Sequence, residues 1–222
     1  MASIGKVESL WRYPVKSMRG EELNEAFVSF AGIYGDRLFA FKSGARPRGF
    51  PYLTGRDQAM MLLYRAHFRY PDRAAKPPNL AEAEGMGPGL NPIPGDPADL
   101  AVDVETPSGE VLSIDDPALM RKLGEGLRER ETLTLLRSER AMTDCRPVSL
   151  FSVQTAHRLG EEVGIVLDKR RFRANIFHEP GVHARHQEST IRSLKIQMSP
   201  VQPHNPTRDE FRTGNRSISV AH

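Results

Sequence analysis

Leu10-Trp11-Arg12-Tyr13-Pro14-Val15-Lys16-Ser17-Met18-Arg19-Gly20 joins a partly alternating apolar and polar run, residues 4–13, to a turn that Pro14 opens. Alternation with a period of two marks a strand with one covered face, and proline fixes φ just beyond its end. Lys16 and Ser17 follow at once, placing a cation and a hydroxyl beside that strand end. The same combination recurs further out. Asp36-Arg37 comes after the turn glycines Gly32 and Gly35, and Arg171-Phe172-Arg173-Ala174-Asn175 lies far along the chain. Arginine can grip two oxygens of an oxyanion, lysine adds a point charge, and serine or asparagine adds neutral donors. The set suits a phosphate ester. Arg37 also has a local alternative, an ion pair with Asp36.

Outward from this stretch the pattern stays strand-rich. Residues 23–30 and 37–41 read as short strands, and the continuous apolar run Met60-Met61-Leu62-Leu63-Tyr64 reads as a buried one. Pro77-Pro78, Gly85-Met86-Gly87-Pro88-Gly89 and Pro92-Ile93-Pro94-Gly95 make residues 71–97 an inserted surface loop, because prolines remove backbone donors. Pro107-Ser108-Gly109 turns a hairpin between residues 101–105 and 110–114. Asp115-Asp116-Pro117 then opens a helix to about residue 130, followed by a strand over 133–136. Ser152 caps a helix over 153–163 with Gly164 as its stop, and 171–177 reads as a strand on which Arg171 and Arg173 share a face. The predicted class is α+β, predominantly β, with two β-barrel-like subdomains sharing a cleft and a few peripheral helices. The predicted segments are 1–114, 115–178 and 179–222.

Composition narrows the function classes. A chain of 222 residues buries about two-thirds of its unfolded surface and folds without staples. The net charge is +3, and the excess lies wholly in residues 180–222, which hold six Arg or Lys against three Asp or Glu. The balanced body and the lack of interleaved aromatics argue against a nucleic-acid partner. Arginines number 24 and lysines seven, a bias that favours bidentate grips on phosphate or carboxylate. Cys145 is the one cysteine, so no disulfide framework exists and a cytoplasmic location is expected. Between Asp144 and Arg146 it reads as a small, semi-buried thiol. No signal peptide or run of about 20 apolar residues is present, so no membrane partner is expected. Gly-x-Gly-x-x-Gly, Walker and Cys-x-x-Cys patterns are absent too. Residues 179–222 form an atypical tail, read as frame-shifted or disordered; five of the seven histidines fall from His178 onward, and residues 191–196 are its one passable strand. His183 and His186 there read as solvated residues, and no metal ligand is assigned.

Several separated blocks agree in order with one family. Residues 10–20, Gly35-Asp36-Arg37-Leu38-Phe39, Leu53-Thr54-Gly55-Arg56, residues 144–152 and Arg171-Phe172-Arg173-Ala174-Asn175-Ile176 resemble MOSC proteins, named for the molybdenum cofactor sulfurase C-terminal domain. Segment 1–114 is similar to the MOSC N-terminal β-barrel segment, and 115–178 to an incomplete MOSC core. The resemblance extends to the amidoxime-reducing components. It implies a molybdenum-molybdopterin cofactor, with Lys16, Ser17 and Arg37 on the pterin or its phosphate and Arg173 and Asn175 completing the site. It also implies an oxidoreductase acting on N-oxygenated small substrates. With no flavin, haem or iron-sulfur motif in the chain, the electrons would come from a separate donor protein. Reductase members ligate molybdenum through a cysteine in the C-terminal portion of the domain, whereas residues 178–222 contain none, and that role is not transferred to Cys145. The alternative is a non-catalytic carrier or delivery module for the cofactor or for sulfur. Pyridoxal phosphate is not expected in this chain.

Overall fold

The computed structural model describes residues 3–127, 132–144, 146–180, 195–197 and 217–219. In chain order the first elements are β1 (Ser3–Arg12), β2 (Glu21–Leu23), β3 (Val28–Ser29), β4 (Gly32–Ile33) and β5 (Phe39–Ser43). A 3-10 helix (Ala59–Leu63), β6 (Arg65–Phe68), α1 (Leu80–Ala83), β7 (Val102–Glu105), β8 (Val111–Ser113), α2 (Pro117–Gly124) and β9 (Leu133–Arg137) follow. The last elements are β10 (Leu150–Ser152), α3 (Val153–Val163), a second 3-10 helix (Lys169–Phe172), β11 (Ile176–Pro180), β12 (Lys195–Gln197) and β13 (Ser217–Ser219). The fold is mostly sheet with three helices among the described residues. None of those helices is long and apolar enough to cross a membrane.

The chain divides into two compact units, Trp11–Val148 and Met1–Leu10 with Ser149–His222. In the first, β5 pairs antiparallel with β9, and β6, β7 and β8 form a meander. Alternation explains the meander: Val102 and Val104 of β7 are buried, and Asp103 and Glu105 point the other way. Its core gathers Phe41, Phe68, Leu53, Met61, Leu119 and Leu123, each at most 2% exposed. Burying each aromatic ring contributes about 2–3 kcal/mol. This interior also holds charged groups, Arg12, Lys16 and Asp36 among them. Arg12 is 2% exposed, reaches Glu21 at 2.7 Å, donates to the carbonyls of Tyr34 and Ala74, and lies over the Phe68 ring. A buried guanidinium needs such a full set of acceptors. Arg12 thereby ties the end of β1 to the long connection between β6 and β7.

In the second unit the strand order is β10-β11-β1-β13-β12. β10 and β11 run parallel because α3 crosses over between them, and β1 pairs antiparallel with β11. A bulge between Val7 and Ser9 leaves Glu8 unpaired in that ladder. It turns Glu8 and Ser9 toward Lys169, whose ammonium meets both side chains.

Several sequence expectations are corrected. No sheet among the described residues closes into a barrel; the sheets are open. The apolar run lies in a 3-10 turn, Ala59–Leu63, and not a strand, and its burial has a period of three. Met61 and Tyr64 are buried, whereas Met60, Leu62 and Leu63 are 50%, 43% and 49% exposed. The helix begun by Asp116, whose side chain accepts from the Ala118 N–H, ends at Gly124 instead of running to about 130, with Gly126 in the left-handed region just beyond. Residues 171–177 are not one strand: Asp168 caps a 3-10 turn by accepting from the Arg170 N–H, and the strand begins only at Ile176. Arg171 and Arg173 therefore do not alternate on a shared face. The helix over 153–163 stands as predicted, ending at Gly164 with φ 70°, although Ser152 makes no side-chain cap bond. Cys145, His183 and His186 lie outside the described residues, as does most of 179–222.

Candidate functional site

Two backbone segments meet at one corner of the Trp11–Val148 unit. Tyr13–Lys16 runs beside residues 37–39: the Arg37 N–H donates to the Tyr13 carbonyl at 2.7 Å, Phe39 to Pro14 at 3.1 Å, and Lys16 to Phe39 at 2.8 Å. Val15 and Phe39 form a parallel bridge. The side chain of Asp36 is a further staple, accepting from the Tyr13 N–H at 2.8 Å through one oxygen and from the Arg37 guanidinium through the other. Two of the sequence blocks thus form one structure.

Lys16 and Arg37 are placed here by different means. The Lys16 ammonium, on a residue 6% exposed, donates to the Met142 carbonyl at 2.9 Å and to Asp144 Oδ1 at 2.5 Å. The Phe50 and Tyr52 rings face it at 5.5 and 5.1 Å. Met142 links the two cations through the backbone, since its N–H donates to the Arg37 carbonyl. Arg37 lies over the Tyr13 ring at 4.8 Å. Behind Asp36, a cavity of about 30 Å³ lined by Tyr34, Leu38, Pro92 and Leu100 has room for one water. It is a packing feature, too small for a ligand.

Ser17 is half-buried and sits third in the turn closed by the Met18 N–H and the Val15 carbonyl, with φ 67°. That turn position favours glycine. Among the described residues the non-glycine residues with positive φ are Ser17, Arg37 and Arg173, at 67°, 49° and 51°. Each costs about 1–2 kcal/mol relative to a right-handed backbone. All three are candidate site residues from the sequence. Strained backbone of this kind gathers where a side chain or amide must be aimed at something.

Arg173 and Asn175 belong to the other unit. Arg173 ends the 3-10 turn Lys169–Phe172 and is half-exposed. In the same turn, hydrogen bonds from the Arg170 guanidinium hold the Asp168 carboxyl down to about 2. Asn175 is 1% exposed, and its Oδ1 accepts from both the N–H and the hydroxyl of Ser149. Its described bonds pin the start of β11 to β10. In β11, burial pushes the His178 imidazole below its usual range, and its Nδ1 has no hydrogen-bond partner among the described residues.

The family model of the MOSC N-terminal beta barrel domain matches residues 4–73. That MOSC match takes in Lys16, Ser17, Asp36 and Arg37, and it stops short of Asp144, Arg173 and Asn175. No curated protein matches the chain. MOSC N-terminal domains are linked to molybdenum-cofactor-binding proteins. The residue types suit the phosphate end of such a cofactor: Lys16, Ser17 and Arg37 lie on the two crossing segments, and Lys16 is paired with a mostly exposed carboxylate. Among the described residues, no group of three His, Cys, Asp or Glu could hold a metal ion.

Sequence reasoning missed Asp144 and Met142 as partners of Lys16, and the Phe50 and Tyr52 rings beside it. A separation of 128 residues between Lys16 and Asp144 leaves no local pattern to read. The Asp36 to Arg37 pair, adjacent in the chain, was legible.

Proposed function

We propose that this protein binds a molybdenum-molybdopterin cofactor, with Lys16, Ser17 and Arg37 contacting the phosphate or pterin. The observation that carries the reading is the coincidence of strain and chemistry. Among the described residues the non-glycine positions held left-handed are Ser17, Arg37 and Arg173, and the first two, on the crossing segments, carry donors that suit a phosphorylated ligand. The MOSC N-terminal match over residues 4–73 supports it independently. In this reading Lys16 neutralises one phosphate charge, and the left-handed turn at Ser17 aims its hydroxyl and neighbouring amide. Arg37, fixed by Asp36, orients the second oxygen.

The reading extends to an oxidoreductase acting on N-oxygenated small molecules. Reducing an N-hydroxylated substrate takes two electrons and two protons and releases water; the bound molybdenum would supply the oxygen-transfer chemistry and a separate protein the electrons. The protein's own task is placement and electrostatics. A second reading, a non-catalytic carrier or delivery module for the cofactor or for sulfur, is favoured by the lack of cysteine in residues 178–222.

Purification from a host that makes the cofactor, with molybdenum and pterin measured per chain, tests the common claim. Amidoxime reduction with a chemical reductant then separates the two readings. Metal with turnover supports the enzyme, and metal without turnover supports the carrier. Neither metal nor pterin overturns both.

A further inference from the structure

The two carboxylates at the corner serve their cations unequally. Asp36 is fully buried, and both its oxygens are bonded. Asp144 is 60% exposed and meets the Lys16 ammonium through one oxygen, whereas the lysine side chain is 7% exposed. Lys16 therefore needs an anionic partner more than Asp144 needs a cationic one. A nearly buried ammonium without a counter-charge is costly, while an exposed carboxylate loses little by turning into water. The other Lys16 contacts, the Met142 carbonyl and the Phe50 and Tyr52 rings, are neutral and stay in place when that carboxylate leaves.

We propose that Asp144 is an internal stand-in for the ligand's phosphate, so that anion binding at Lys16 is an exchange of one anionic partner for another. This rests on the phosphate reading of the corner and adds a specificity device to it. A phosphate dianion carries enough charge to displace the carboxylate and remain near Arg37. A monoanion such as chloride or acetate offers Lys16 no more than Asp144 already does, and it is excluded. The ammonium is never left bare, which keeps the empty corner folded.

The test uses the full chain produced without cofactor and titrated with inorganic phosphate, followed by phosphorus NMR line broadening or calorimetry. Asp144→Asn is expected to bind phosphate about tenfold more tightly than the natural chain, one 1.4 kcal/mol step of the affinity scale. It is also expected to lose discrimination, so that chloride competes with phosphate in Asp144→Asn and not in the natural chain. Lys16→Met and Lys16→Gln, checked for an unchanged melting temperature, should abolish binding in either background. Equal phosphate affinity in Asp144→Asn and the natural chain, with binding still dependent on Lys16, overturns the exchange and leaves the phosphate reading standing. Phosphate binding that survives both Lys16 replacements, or no binding in any form, overturns the two together.

Discussion

Asp36 with Arg37 and Asp144 with Lys16 are both carboxylate–cation pairs at one corner, yet they differ in burial, in partners and in what they can do. Asp36 has no exposed surface and holds a backbone amide as well as a guanidinium. Asp144 is largely in water and holds one ammonium. Geometry separates the two pairs here, for the residue types are nearly the same. A pair whose anion is saturated and buried fixes the chain, and a pair whose anion is exposed can be exchanged. The left-handed backbones at Ser17 and Arg37 sit on the scaffold side of that division, where Asp36 and the crossing of residues 13–16 with 37–39 hold them.

The largest expected effect breaks the scaffold pair. Asp36→Ala removes the buried carboxylate that accepts from the Tyr13 N–H and pairs with the Arg37 guanidinium, and should lower unfolding free energy by about 3–5 kcal/mol, measured by urea denaturation. Asp36→Asn keeps one acceptor and should lose less. An equal, small loss from both would erase the distinction between the two pairs. Next, Asp144→Asn leaves the nearly buried Lys16 ammonium with neutral acceptors only and should lower stability by about 1–3 kcal/mol, less than Asp36→Ala because Asp144 itself is exposed. A loss as large as that of Asp36→Ala would make the second pair scaffold too. Arg173→Gly removes a guanidinium from a left-handed position. Relief of strain offsets the added unfolded-chain entropy, so stability should stay within about 1 kcal/mol. A larger loss would show that the Arg173 side chain holds its turn together.

The smallest effect is a pH dependence in the other unit. Burial lowers the folded-state pKa of His178, so below about pH 6.5 the unfolded chain takes up a proton that the folded chain refuses. Its contribution to stability is present above that pH and is lost as pH falls toward the lowered folded value. His178→Phe should flatten the stability profile between pH 6.5 and 5, read by thermal melts at each pH. An unchanged slope would assign that pH dependence elsewhere.

Local patterns explain how far the sequence could be read. The helix Val153–Val163 was visible because Gly164 accepts the left-handed stop, and the hairpin of β7 and β8 because Pro107-Ser108-Gly109 turns it. Met60-Met61-Leu62-Leu63-Tyr64 misled because a short apolar run looks the same whether its buried positions fall every two residues or every three. Residues 171–177 misled because Asp168, just upstream, captures the Arg170 backbone and side chain and bends the chain before the strand can start. At the corner, Lys16, Ser17 and Arg37 were legible from residue type beside a strand end, and Asp36 from adjacency. Asp144, Met142, Phe50 and Tyr52 were not, because they reach Lys16 only through the tertiary fold.

The central claim is that a phosphorylated pterin is held through Lys16. It is tested most directly by measuring pterin per chain in the natural protein and in Lys16→Met, both purified from a cofactor-producing host and matched for melting temperature. The account predicts substantial pterin in the natural chain and at least a tenfold loss in Lys16→Met. Equal pterin in the two, or none in the natural chain, would contradict it.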